Sequence, residues 1–208
     1  MDRKQRQQII SRQRDALRRH GYHPHALFWS SREIQELRFR VLLEASGLKA
    51  GDSLLDVGCG FGDLAAWLEG QGVPVDYTGI DLSPELLAEG RRRHPGICLL
   101  EGDIFDFDPP PRSHDWVMLS GALNANLNDQ GAYARAVVGR MYVACRKGIA
   151  FNLLDARHER TAGSWDLQSF FPDEMEMLAC RLSPHWEIRD GYLENDFTVV
   201  VWRTGFGQ

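Results

Sequence analysis

Residues 53–64 read Ser-Leu-Leu-Asp-Val-Gly-Cys-Gly-Phe-Gly-Asp-Leu. A short apolar run ends in Asp56-Val57, glycines follow at 58, 60 and 62, and an apolar-periodic helix then begins. Glycine has no Cβ, so the chain turns sharply here and its backbone can approach a ligand closely. The helix that follows points unpaired N–H groups at that ligand. Strand, glycine loop and helix in this order predict a site for a nucleotide-type cofactor.

The kind of nucleotide depends on spacing. The dinucleotide fingerprint G-x-G-x-x-G is not met, because the chain reads G-x-G-x-G from Gly58 and carries Asp at 63. A second acid, Asp81, closes the next expected strand, Val75-Asp76-Tyr77-Thr78-Gly79-Ile80-Asp81. It follows Gly62 by 19 residues, about the spacing (~20 residues) at which an α/β fold offers a carboxylate to ribose hydroxyls. A third acid, Asp103, follows the short run Leu99-Leu100-Glu101-Gly102.

Taken together, Asp-Val-Gly-Cys-Gly-Phe-Gly, Gly-Ile-Asp-Leu-Ser-Pro-Glu-Leu-Leu and Glu-Gly-Asp-Ile, in this order and spacing, resemble the class I S-adenosylmethionine-dependent methyltransferases. The resemblance covers residues 50–205. It implies a doubly wound α/β fold: a seven-stranded, mostly parallel sheet with helices on both faces and an antiparallel C-terminal hairpin.

The chain's own pattern agrees with that architecture. Strands are expected near 53–57, 75–80, 97–100, 115–119 and 148–154, with helices near 62–70, 84–93 and 130–145. Such alternation builds a parallel sheet covered on both faces. Ser83 before Pro84 suits a helix start. Residues 155–171 read as a loop and 172–182 as a helix. The last two strand-like runs, 185–193 and 196–203, are too close for a crossover and must be antiparallel. Before the sheet, residues 3–19 read as a weakly amphipathic helix. Ser30 with Glu33 reads as a capping box for the next helix. Its stripe is Ile34, Leu37, Val41 and Leu42, and Gly47 is its stop. Residues 1–49 are therefore expected to form a helical extension, or lid, on a single compact unit spanning 50–208.

Composition limits the alternatives. A chain of 208 residues, 43% hydrophobic and 25% charged, suits one soluble domain. No apolar run approaches the ~20 residues needed to cross a bilayer, and no apolar signal core follows the N-terminus. The four cysteines, 59, 98, 145 and 180, are scattered without a Cys-x-x-Cys pair. They read as reduced thiols of a cytoplasmic protein, with no zinc site. Residues 1–20 hold seven Lys/Arg against two Asp/Glu, a net +5; with −5 for the whole chain, the remainder carries −10. An acidic body argues against a large nucleic-acid footprint.

The resemblance suggests residue roles at the carboxyl ends of the strands. Gly58, Cys59, Gly60 and Gly62 line the methionine moiety, and Asp56 steadies their loop or reaches the cofactor's ammonium through water. Asp81 accepts both ribose hydroxyls; its alternative is to cap the helix at Pro84. Leu82 packs on adenine. Asp103 accepts the adenine amino group, or is a surface turn acid, while Ile104 offers a backbone N–H. Ser120 and Gly121 lie under the methionine arm. Arg38 is a candidate partner for the cofactor carboxylate, with a solvent-facing arginine as the alternative. Trp29, Phe39, Asn124 and Trp165 are candidates for the lid or the acceptor site.

Methyl transfer needs alignment and water exclusion more than acid–base help. A base is needed only for an acceptor protonated at neutral pH. Asp155 and His158 after strand five, and His25 in the lid, are the candidates. His20, His23 and His25 lack neighbouring acidic or thiol ligands, so no metal is expected.

After strand four the chain reads Ser-Gly-Ala-Leu-Asn, without the Asp/Asn-Pro-Pro-Tyr/Phe of adenine or glutamine amino-methyltransferases. A Pro-Cys pair and the Asp-Asn ending of catechol-type enzymes are also missing. These features favour a small-molecule acceptor. A nicotinamide dehydrogenase, and a non-catalytic or RNA-associated methyltransferase-like module, remain as alternatives.

Overall fold

Seven strands form one sheet in the computed structural model, which describes residues 1–204; residues 205–208, the end of the unit expected over 50–208, lie outside the described residues. The strands are β1 (Ser53–Val57), β2 (Asp76–Asp81), β3 (Cys98–Glu101), β4 (His114–Ser120), β5 (Cys145–Leu154), β6 (His185–Arg189) and β7 (Asp196–Trp202). Their order is β3-β2-β1-β4-β5-β7-β6. The first five pair in parallel. β7 runs antiparallel to both β5 and β6. The expected doubly wound, seven-stranded sheet with a reversed C-terminal hairpin is therefore present. β6 stops at Arg189, short of the expected 193, and residues 190–195 form the connection to β7.

Eight α-helices accompany the sheet among the described residues: α1 (Arg3–His20), α2 (Arg32–Ser46), α3 (Asp63–Gly70), α4 (Pro84–Arg93), α5 (Ile104–Phe107), α6 (Ala132–Ala144), α7 (Glu159–Ala162) and α8 (Pro172–Leu182). A 3₁₀ turn covers Pro24–Leu27. α7 interrupts the region expected to be loop.

Alternation along the strands supplies both layers. Trp116 and Met118 of β4 face α2 and α3, packed with Phe39, Leu42 and Leu64. Val117 and Leu119 face α6 and α8, packed with Val137, Met141 and Met175. Successive strand side chains point to opposite faces, so one central strand feeds two cores. α2 is thus part of a core layer, and residues 1–49 share packing with the sheet. Ala26 of the 3₁₀ turn is fully buried with Phe61 and Leu86.

Two local expectations shift. The N-cap of α2 is Ser31, which accepts from the Ile34 N–H at 3.3 Å; Ser30 does not fill that place. The buried residues of α2 are Gln35, Arg38, Phe39, Val41, Leu42, Ala45 and Ser46, so Val41 and Leu42 of the expected stripe are buried while Ile34 and Leu37 are half-buried. Two polar residues sit on the inner face because each has a polar partner there. Gln35 bonds Asp63 at 3.2 Å, and Arg38 pairs with Asp196. Hydrophobic periodicity finds Val41 and Leu42 but not the polar inner positions.

Candidate active site

A cavity of about 590 Å³ opens along the carboxyl edge of the sheet. This is where open α/β sheets bind ligands. Its floor is the loop after β1 (Gly58–Gly60), the end of β2 (Asp81, Leu82) and the loop after β4 (Ser120–Ala125). Its roof comes from the N-terminus: Ile9, Arg12 and Gln13 of α1, then Leu27 and Trp29.

The glycine loop is tight. Gly58 has φ +74°, and a Cβ there would lie 2.2 Å from the Ala122 Cβ. At Gly60, φ is +57°, and a Cβ would lie 2.8 Å from Leu27. Only glycine takes these angles without strain. Gly62 serves packing instead: a Cβ there would strike Ile97 and Leu99, so its expected place against the ligand is replaced by close helix–strand contact.

Asp81 is 95% buried. Its Oδ2 accepts from the Gly60 N–H and its Oδ1 from the Ser83 N–H, both at 2.9 Å. Burial pushes its carboxyl above the ordinary range, and these N–H groups oppose the shift. The helix cap beside it is Ser83, whose Oγ accepts from the Leu86 N–H, so Asp81 is free of that task. Asp56 is buried beneath the loop. Its Oδ2 accepts from Tyr77 Oη at 2.6 Å, while Oδ1 has no partner. Desolvation lifts the Asp56 carboxyl to about 7, against the pull of Tyr77.

Asp103 differs from its expected role. It caps α5, its Oδ1 accepting from the Phe105 and Asp106 N–H groups. Its Oδ2 accepts from Arg6 at 2.8 Å and Tyr133 Oη at 3.0 Å. The acid lines the cavity, but four protein donors already use it. Ile104 beside it is fully buried. Ser120 and Gly121 are held by the buried Asn152, whose Oδ1 accepts from the Gly121 N–H at 2.9 Å and whose Nδ2 donates to Ser120 Oγ at 3.3 Å. The edge of the Trp29 ring lies against Gly121.

Arg38 faces neither solvent nor an open anion site. It is 95% buried, paired with Asp196 and stacked 4.4 Å from the centre of the Trp29 ring. Phe39 packs into the core beside Trp67 as well as edging the cavity. Trp165 stands 87% exposed, away from the cavity lining, so it covers nothing. The three candidate bases also lie elsewhere. Asp155 is clamped by Arg157, and His158 sits with it in a separate shallow pocket. His25 Nδ1 lies 2.8 Å from the Trp29 carbonyl oxygen and outside the cavity lining.

Several site residues went unread in the sequence. Asp63 gathers Tyr22 at 2.6 Å, Arg32 at 2.9 Å, Gln35 and His94, tying the N-terminal segment to α3. Burial opposes its ionisation, yet these partners hold its carboxyl below the ordinary range. Leu27, Gln13 and Tyr133 likewise carry no local pattern; only the folded contacts reveal them. Among the described residues, no group of three or more His, Cys, Asp or Glu is placed to hold a metal ion.

The model of the methyltransferase domain family matches residues 54–148, from β1 into β5. This match and the sheet order support a class I S-adenosylmethionine-dependent methyltransferase. A putative methyltransferase of Mycobacterium tuberculosis is 29% identical over 72% of this chain and 92% of its own length. A ribosomal RNA small subunit methyltransferase A of Chlorobaculum parvum is 34% identical over 57% of this chain, but the match spans only 36% of that protein. Among solved structures, the Haemonchus contortus phosphoethanolamine N-methyltransferase 2, in complex with S-adenosylhomocysteine, has a TM-score of 0.60. Its identity is 17%, covering 85% of this chain and 46% of that one.

S-adenosylmethionine is the cofactor of this methyltransferase, and the site suits it. The loop at Gly58 and Gly60 has no side chains to fill its cradle. Asp56 keeps one buried oxygen without a partner, matched to a cationic donor. Asp81 keeps lone pairs beyond the two N–H bonds it accepts.

Proposed function

We propose that this methyltransferase acts on a small molecule enclosed with the cofactor in the cavity beneath α1. Asp81 accepts the ribose hydroxyls, and Leu82 packs on adenine. Gly58, Cys59 and Gly60 follow the methionine arm, with Asp56 toward its ammonium and Ser120 and Gly121 beneath it. The bound cofactor supplies an electrophilic methyl group on a sulfonium.

The protein's part is alignment and exclusion of water. Leu27 and Trp29 press on the loops at Gly60 and Gly121, so the first residues act as the lid. An acceptor lone pair forms the new bond to the methyl carbon in line with the breaking carbon–sulfur bond. The bond pair stays on sulfur, and an acceptor that carried a proton gives it up to solvent when the lid opens. The side chains offered as bases face away from the cavity, so positioning carries the rate.

One observation supports a small acceptor over RNA: two cations of the basic arm, at the cavity, face the protein's own acids. Arg6 pairs with Asp103 and Asp106, and Arg12 with Asp166. These contacts turn two of the arm's seven cations toward the cavity, while Arg3, Lys4 and Arg19 make no ion pair among the described residues. The test is transfer from methyl-tritiated S-adenosylmethionine in a cell extract split into small-molecule and RNA fractions. Label is expected in the small-molecule fraction; label confined to RNA overturns the reading.

A further inference from the structure

The cavity has two halves set by strand order. The half over β1, β2 and β3 holds Gly58, Gly60, Asp81 and Asp103, and the proposed cofactor contacts occupy it. The other half lies over β4, β5 and β7. Leu127, Leu154, Leu167 and Leu193 give it apolar walls. The loop after β4 closes it by bridging the segment before α8, with Ala125 opposite Leu167 and the Asn124 carbonyl oxygen accepting from the Gln168 N–H at 2.9 Å.

The charged side chains of this second half are paired or bonded within the protein, with Arg38 Nε left as a buried N–H without a partner. Arg38 pairs with Asp196 and Arg12 with Asp166. Asp129 gives both oxygens to backbone N–H groups, of Gly131 at 2.9 Å and Tyr133 at 2.8 Å. A charged acceptor would meet no free countercharge and would lose its hydration there.

Two acceptor atoms on the wall are buried without a hydrogen-bond partner: Asn124 Oδ1, after β4, and Gln13 Oε1, on α1. Buried polar side-chain atoms nearly always have a partner. Terminal amide torsions are soft, so a small rotation presents either oxygen to the cavity.

On the reading of this site as an enclosed methyl-transfer site, we infer that the half over β4, β5 and β7 binds an uncharged, mostly apolar acceptor. Its hydroxyl or N–H proton is shared by Asn124 Oδ1 and Gln13 Oε1 as a three-centre bond. The two residues are specificity determinants and hold the nucleophile's end of the acceptor. Because Gln13 belongs to α1, the acceptor also helps to hold the lid down.

The test uses the full chain saturated with S-adenosylhomocysteine and four probes of one shape: 2-naphthol, 2-methoxynaphthalene, 2-naphthoate and 2-naphthylmethylammonium. Calorimetry should find 2-naphthol bound about tenfold or more tightly than the methoxy probe, since a site built for a donor rejects the analogue that lacks it. Both charged probes should be weaker than 2-naphthol. Asn124→Leu should erase the preference for 2-naphthol over the methoxy probe while S-adenosylhomocysteine still binds. Gln13→Leu, on the surface helix, serves if Asn124→Leu does not fold. A charged probe that binds tightest overturns the inference. So does a preference that survives both substitutions, or no binding of any probe to the loaded protein. Failure of S-adenosylhomocysteine itself to bind would instead sink the methyl-transfer reading on which the inference rests.

Discussion

Arg6 and Asp103, 97 residues apart in the chain, meet at 2.8 Å across the mouth of the cavity. The acid ends the β3 connection and the base lies in the second turn of α1, so one ion pair joins the lid to the floor. Arg6 also reaches Asp106 at 2.6 Å. Both acids draw the guanidinium's proton affinity upward, the Asp106 hydrogen bond most strongly. Arg6 is one-third exposed, and pairs of this kind contribute only ~0–1 kcal/mol to stability. Its effect should be on closure. Arg6→Ala should leave the melting temperature nearly unchanged, raise hydrogen exchange over residues 3–20 and speed S-adenosylhomocysteine dissociation several-fold. Unchanged exchange and dissociation would show that the pair is no latch.

Gly58→Ala tests the cradle. The new methyl group would overlap Ala122 Cβ at 2.2 Å, on a backbone with φ +74°. Strain of ~1–2 kcal/mol from the left-handed angle alone, with the overlap added, should lower stability and abolish measurable cofactor binding. Urea denaturation and calorimetry read the two effects. Wild-type affinity in Gly58→Ala would remove the loop from the cofactor site.

Deleting residues 1–28 removes α1, the 3₁₀ turn and Leu27 but retains α2, which packs on β5 and β7. The sheet should remain folded by circular dichroism, with turnover lost through admission of water to the cavity. Full activity after the deletion would exclude this segment as the lid.

Asp56 sets a pH dependence. Burial lifts its carboxyl to about 7, from an ordinary value of about 4. Between those limits the folded protein holds a proton that the unfolded chain has released, so stability falls as pH rises through the window. Burial also raises Asp81, and Asp196 to about 6, so Asp56→Asn should flatten the slope without abolishing it. Urea midpoints of cofactor-free protein at pH 5 and 7.5 check this. An equal slope in both proteins would mean that Asp56 stays ionised.

The succession of strands and helices and the glycine loop were readable because both rest on local pattern: apolar runs of strand length, turn glycines and acids at fixed offsets. The seven-stranded sheet with its last strand reversed was implied by the family resemblance. The ends of α2 were less so, since Ser30 and Ser31 are equally good caps and only packing chooses between them. The roles of Asp103, Arg38 and Trp165 depended on distant partners. Asp103 meets Arg6 and Tyr133, and Arg38 meets Asp196. Trp165, for all its aromatic bulk, points to solvent. Nothing in the neighbouring sequence records such pairings. His158 and Asp155 lie at the expected end of the sheet but turn toward Arg157 and Glu194, a matter of side-chain direction that strand position does not fix.

The most direct measurement is calorimetric titration of the full chain and of Asp81→Ala with S-adenosylmethionine and S-adenosylhomocysteine. Both ligands should bind the wild type stoichiometrically. Asp81→Ala should weaken them by about 1–3 kcal/mol, the scale for losing a charged hydrogen-bonding partner. No binding to well-folded wild-type protein would contradict the cofactor assignment, and equal affinity in Asp81→Ala would contradict the placement of ribose on β2.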